Sequence, residues 1–159
     1  MPLRFAAALA LPLLAAACGG GSKHAATTTT GSKALSQAGF VQAGNQVCIR
    51  SDRRVYQIGR LTRDPAGWLK TANAGRVGIA EMKALTPPAD KQTEFRLMLT
   101  YAQQLVDAIQ SVDDHLANKQ FDAAISAQFR AARLQDKTHA AAKNLGLTFC
   151  QQNLTNWPA

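Results

Sequence analysis

The sequence is short of the residues from which most catalytic and metal sites are built. It has three histidines, three cysteines and ten acidic residues against eighteen Lys+Arg. Glu81 and Glu94 are the only glutamates, so the Glu-x-x-His pairs of di-iron bundles are absent. His24 lies in a polar N-terminal stretch, and His115 and His139 are separated by a turn near residue 119. In an antiparallel hairpin that spacing sets them well over ~20 Å apart, too far to share an ion. Asp113-Asp114-His115 reads as a solvated helix end, with His suited to the dipole there, rather than as a cation site. There is no CxxC pair and no Gly-x-Ser-x-Gly turn, and Ser51, Ser111 and Ser126 fall in helical stretches where hydroxyls return to backbone carbonyls. Gly19-Gly20-Gly21-Ser22-Lys23 lacks the spacing of a phosphate loop. Aromatic residues make up 6% of the chain, which argues against a β-sandwich and against a base-stacking surface. These absences predict a protein that is not an enzyme, with no catalytic residues, no metal and no cofactor.

What is present begins with an address. Met1-Pro2-Leu3-Arg4 carries one positive charge, and Phe5 to Ala17 is apolar apart from Pro12. Thirteen helical residues rise about 20 Å, short of the roughly 30 Å hydrocarbon core, so this is the h-region of a signal peptide (residues 1–17) and not a membrane span. No later stretch is long and apolar enough to span either. The run Leu14-Ala15-Ala16-Ala17-Cys18-Gly19-Gly20-Gly21-Ser22 resembles the lipobox of bacterial lipoproteins. The resemblance implies cleavage before Cys18 and acylation of its thiol and new amino group, a multi-chain anchor on the membrane. It places the protein in the cell envelope, on the outer face of the cytoplasmic membrane, or at the outer membrane where the source has one. The alternative is an ordinary secretory signal cut at Ala17, leaving Cys18 a free thiol. Residues 18–35, rich in Gly, Ser and Thr, read as the lipidated cysteine and a tether of about fifteen residues.

With Cys18 lipidated, Cys48 and Cys150 remain as an even pair in an oxidising compartment, which favours a disulfide over two buried thiols. Four helical segments occupy residues 36–159. The first, about Ser36 to Leu61, carries Phe40, Val41, Gly44, Val47, Cys48, Val55 and Ile58 on one face. The second starts at Asp64-Pro65, carries Trp68, Ala72, Ile79, Met82 and Leu85 inward, and ends at Thr86-Pro87-Pro88; Gly75 and Gly78 weaken its middle. The third, Ala89 to Ala117, has a nearly unbroken stripe from Phe95 to Leu116. The fourth, Phe121 to Leu145, sets Ala124, Ile125, Ala132, Ala142 and Leu145 inward before a C-cap at Gly146. Short connections make the sum an all-α, up-down four-helix bundle. A Cys48–Cys150 bridge then requires the tail after Gly146 to fold back along the first segment.

Phe40 ahead of Asn45-Gln46-Val47-Cys48, the break Leu85-Thr86-Pro87-Pro88-Ala89, and Leu145-Gly146-Leu147-Thr148-Phe149-Cys150 are similar to motifs of small actinobacterial lipoproteins and secreted proteins of unassigned activity. That resemblance implies a two-cysteine helical domain and adds no chemistry. Charge is the one feature above background. Residues 48–76 hold Arg50, Arg53, Arg54, Arg60, Arg63, Lys70 and Arg76 against Asp52 and Asp64. At about 100° per residue, Arg50, Arg53, Arg54 and Arg60 project opposite the apolar face as a basic stripe. The expected function is non-catalytic binding or scaffolding at the membrane, with that stripe either meeting an anionic envelope polymer or lipid headgroups or forming a solvated face partly paired with the acidic third segment. Nucleic acid is excluded by the external address. The rival is a carrier of a small apolar ligand between the helices, with Trp68 and Phe95 either core or cavity-lining; a second rival is an enzyme whose site carries no recognisable motif. Asn153-Leu154-Thr155 forms an incidental glycosylation sequon, and oligomeric state is not legible.

Overall fold

Ser36 starts the first helix. In the computed structural model, which describes residues 34–59 and 65–151, its hydroxyl accepts from the Gly39 N–H at 3.2 Å. Helix α1 then runs Gln37–Ile58 and stops short of the expected Leu61, because Gly59 takes a left-handed φ of 84°. Helix α2 spans Pro65–Lys83. The Thr86-Pro87-Pro88 break leads into a 3-10 turn at Ala89–Lys91 and then α3, Gln92–Ala117. Helix α4 covers Phe121–Asn144. The signal segment 1–17, Cys18, the polar stretch 19–33, Arg60, Asp64 and the sequon at Asn153 lie outside the described residues.

Gly146 sets the path of the chain beyond α4. At φ 78° it lets the Leu147 N–H reach the Ala142 carbonyl at 2.9 Å and its own N–H reach that of Lys143 at 3.0 Å, a Schellman closure of α4. The chain reverses, and a last 3-10 turn, Thr148–Gln151, lies back along α1. There the Phe149 N–H donates to Asn45 Oδ1 at 3.1 Å, and Cys150 is bonded to Cys48 with Cα atoms 5.1 Å apart. The disulfide and the folded-back tail are both present.

Three contacts give the helix directions. The Leu35 N–H meets the Thr86 carbonyl at 3.0 Å and Gln37 Nε2 donates to the Leu145 carbonyl at 3.3 Å, so α1 begins where α2 and α4 end. Phe40 and Phe95 meet edge-to-face at 5.3 Å, which sets the starts of α1 and α3 together. The fold is an up-down four-helix bundle strapped by one disulfide.

Its packing is uneven. One core joins Trp68, Ile79, Val106, Ile109, Val112 and Leu134 and draws on α2, α3 and α4 alone. The second joins Phe40 and Val47 of α1 to Met82, Phe95, Met98, Leu145 and Leu147. No Cα of α1 comes within 8 Å of one in α4; the last 3-10 turn bridges them. Gly75, expected to weaken α2, instead allows it to approach α3, since a Cβ there would lie 2.6 Å from Val106 Cγ2. The inward face of α4 differs from the expected one. Ala124, Ala142 and Leu145 are buried, but Ile125 and Ala132 face outward, while Ala127, Ala131, Leu134 and Gln135 are buried. A helix this rich in alanine offers several faces of similar hydrophobicity, and the smallest one packs along α3, leaving Phe121, Ile125 and Phe129 exposed.

Reducing the disulfide frees a loop of 102 residues. The expected loss is up to about 4.7 kcal/mol in the chain-entropy account, read as a lower urea midpoint in reductant or in the Cys48→Ser/Cys150→Ser protein. Gly75→Ala gains about 1 kcal/mol of helix propensity but strains the Val106 contact by about 1–3 kcal/mol, so a net loss near 1 kcal/mol is expected in the same assay. A net gain would show that α2 and α3 are not held at this spacing.

Candidate ligand cleft

Past the disulfide, α1 leaves the core. Its buried residues, Phe40, Gly44 and Val47, all precede Cys48, whereas Ser51, Asp52 and Val55 are half-buried. They roof a cleft of about 170 Å³, partly open to solvent, that draws on all four helices. Ile79, Leu105, Val106 and Ile109 are among its floor residues, Gln135, Thr138 and His139 form the α4 wall, and Cys48 and Cys150 also line it. The cleft exists because α1 and α4 are joined by the strap rather than by direct packing.

Most of its lining is apolar, and several of its polar groups are already satisfied within their helices. Thr71 Oγ1 donates to the Gly67 carbonyl at 3.0 Å and Thr138 Oγ1 to that of Leu134 at 2.8 Å. Asp52 is different. It has no hydrogen bond or ion pair with any described residue, and burial pushes its carboxyl up from the ordinary 3.8 to about 6. Facing the same cleft, His139 is held below its usual range by desolvation, which outweighs the attraction of nearby Asp136, so its ring is neutral at pH 7.

The arginines that neighbour Asp52 in sequence do not neutralise it. Arg50 Nε donates to Glu81 Oε2 at 3.0 Å, and Arg54 Nη2 bonds the other carboxylate oxygen of the same Glu81. Two members of the expected stripe are therefore paired to a carboxylate on α2, with the Arg50 side chain still half exposed. Arg53 is exposed and Arg60 lies outside the described residues. Farther along α2, Arg76 reaches Asn73 Oδ1 at 2.8 Å and Gln110 Oε1 at 3.3 Å, tying α2 to α3.

Trp68 and Phe95 are core residues, 1% and 5% exposed, and neither lines the cleft, so of the two roles open to them in the sequence the core one holds. His115 Nδ1 lies 2.7 Å from Gln120 Oε1, and Asp114 accepts from Gln110 Nε2 at 3.1 Å. Among the described residues no three His, Cys, Asp or Glu side chains gather as a metal-binding group. Sequence reasoning passed over Asp52, yet a signal was there: it sits about 40° from Cys48 on the helical wheel, a carboxylate on an apolar face. No protein-family model, no curated protein and no solved structure matches this chain.

Asp52 gives a stability prediction whose sign is fixed. Its folded pKa is raised, so its stabilising contribution is complete below about pH 4 and is lost as pH climbs through about 6. Asp52→Asn removes that loss. Allowing for the solvent that reaches Asp52, the variant is expected to be more stable than the parent by about 1 kcal/mol above about pH 7, with little difference below about pH 4. Urea titrations at the two pH values check this; a variant destabilised at neutral pH would mean the carboxylate has a partner.

Proposed function

We propose that this chain is a lipid-anchored protein of the bacterial envelope whose helical domain binds rather than catalyses, holding a small, mainly apolar ligand in the cleft beneath α1. The observation that carries the reading is the cleft itself, about 170 Å³ with a largely aliphatic lining contributed by all four helices. An apolar cavity of about 150 Å³ is enough to take up benzene, so the space suits a single ring or a short acyl segment. The anchor rests on the lipobox at Cys18, and the Gly/Ser/Thr-rich stretch 19–33 separates it from the domain. Both support a binding domain held beside a bilayer, where apolar small molecules concentrate. An anionic polymer or lipid headgroups stay partners for the exposed Arg53 and its neighbours, but with Arg50 and Arg54 engaged by Glu81 that surface has the weaker claim.

Benzyl alcohol is a suitable probe. Ligand-observed NMR on the full chain is expected to show saturable one-to-one binding. Ala102→Leu adds three carbons to a lining residue and is expected to weaken binding at least about tenfold, consistent with filling the space an apolar ligand occupies. Val55→Phe, at the roof, serves as the second plug if the first disturbs folding. No binding by the parent, or binding that ignores both plugs, rules the cleft out.

A further inference from the structure

Resting on the cleft reading, we propose that the ligand is a cationic amphiphile, a protonated amine on a small apolar body, with Asp52 as the residue that selects its charge. Among the described residues, Asp52 is the acidic side chain that lines the cleft, and no described lysine or arginine lines it. Of the arginines beside it on α1, Arg50 and Arg54 are committed to Glu81 on α2, and Arg53 is exposed. The carboxylate therefore faces an apolar space with no partner among the described residues. An ammonium group there restores the interactions the carboxylate lost to burial, as a charge-assisted hydrogen bond. A carboxylate or phosphate ligand meets like charge in a medium of low dielectric and is disfavoured.

The opposite wall agrees with this. His139, neutral at pH 7, offers a ring nitrogen that accepts a hydrogen bond from a bound ammonium and adds no positive charge to repel it. Thr138 and Thr71 donate their hydroxyl hydrogens to backbone carbonyls, so their oxygens remain acceptors. These acceptors, around a carboxylate with no partner among the described residues, are complementary to a donor-only cation. The aliphatic floor formed by Leu105, Val106 and Ile109 takes the apolar body.

Three probes of one shape separate the charge preference from the cleft: benzylamine, benzyl alcohol and benzoate, titrated near neutral pH into the full-length chain, its Asp52→Asn and its Asp52→Glu forms. Benzylamine is expected to bind the parent about tenfold more tightly than benzyl alcohol, the equivalent of ~1.4 kcal/mol, and benzoate to bind weakest. Asp52→Asn is expected to collapse that order, and Asp52→Glu to keep it. If benzyl alcohol binds but benzoate matches or exceeds benzylamine, or if the order survives in Asp52→Asn, the cation assignment falls and the cleft stands. If none of the probes binds the parent, cleft and assignment fall together.

Discussion

One covalent strap determines the shape of everything beyond it. Helices α1 and α4 do not pack on each other; the chain turns back at Gly146 and Cys150 ties its end to the middle of α1. Before Cys48, α1 is anchored by Phe40, Gly44 and Val47, with Gly44 lying against Leu147 of the returning chain. After Cys48, α1 has no fully buried residue: Arg50 and Arg54 on Glu81 and Ser51 against Gly78 hold it to α2, while the core beneath is closed by α2, α3 and α4. A bundle held this way has an inherent gap on one side. The disulfide lies at the edge of that gap, so the bond that stabilises the fold also borders the space in which a ligand would sit.

The gap is furnished at a cost. A half-buried carboxylate facing aliphatic side chains, with no partner among the described residues, weakens the folded state at neutral pH. Glu81 sharpens the point: it gathers two arginines from α1 on the far side of Asp52 and so keeps them from filling the cleft with their own charge. Local charge that does not serve the fold is the usual mark of a binding site. The same arrangement explains why the basic stripe is less available to outside partners than its net charge implies.

The bundle was largely legible in the sequence. Ser36, the double proline at Pro87-Pro88 and Gly146 mark helix ends through backbone chemistry that acts locally, and the inward stripe of α3 is long enough to leave one choice of face. Cysteine parity then reached the strap, because it needed only the compartment and a count. Where side-chain identity did not distinguish the faces, the reading slipped. In α4, alanines on adjacent sides left the register open, and Ile125 was placed inward although small-residue packing against α3 turns it out. The cleft was beyond a wheel projection altogether, since it arises from the distance between helices far apart in the chain. Likewise, the helical wheel showed where Arg50 and Arg54 leave α1 but not that Glu81, on α2, would bend them back.

Three elements belong together: the proposed acylation of Cys18, the bridge between Cys48 and Cys150, and the proposed occupancy of the cleft. Native mass spectrometry of the protein released gently from its own membranes reads all three in one spectrum. The predicted mass is that of residues 18–159 plus acyl chains less two hydrogens, accompanied by a one-to-one small-molecule adduct that the Ala102→Leu protein lacks. A spectrum with no adduct from the parent, or with the same adduct on Ala102→Leu, contradicts the cleft as the binding site.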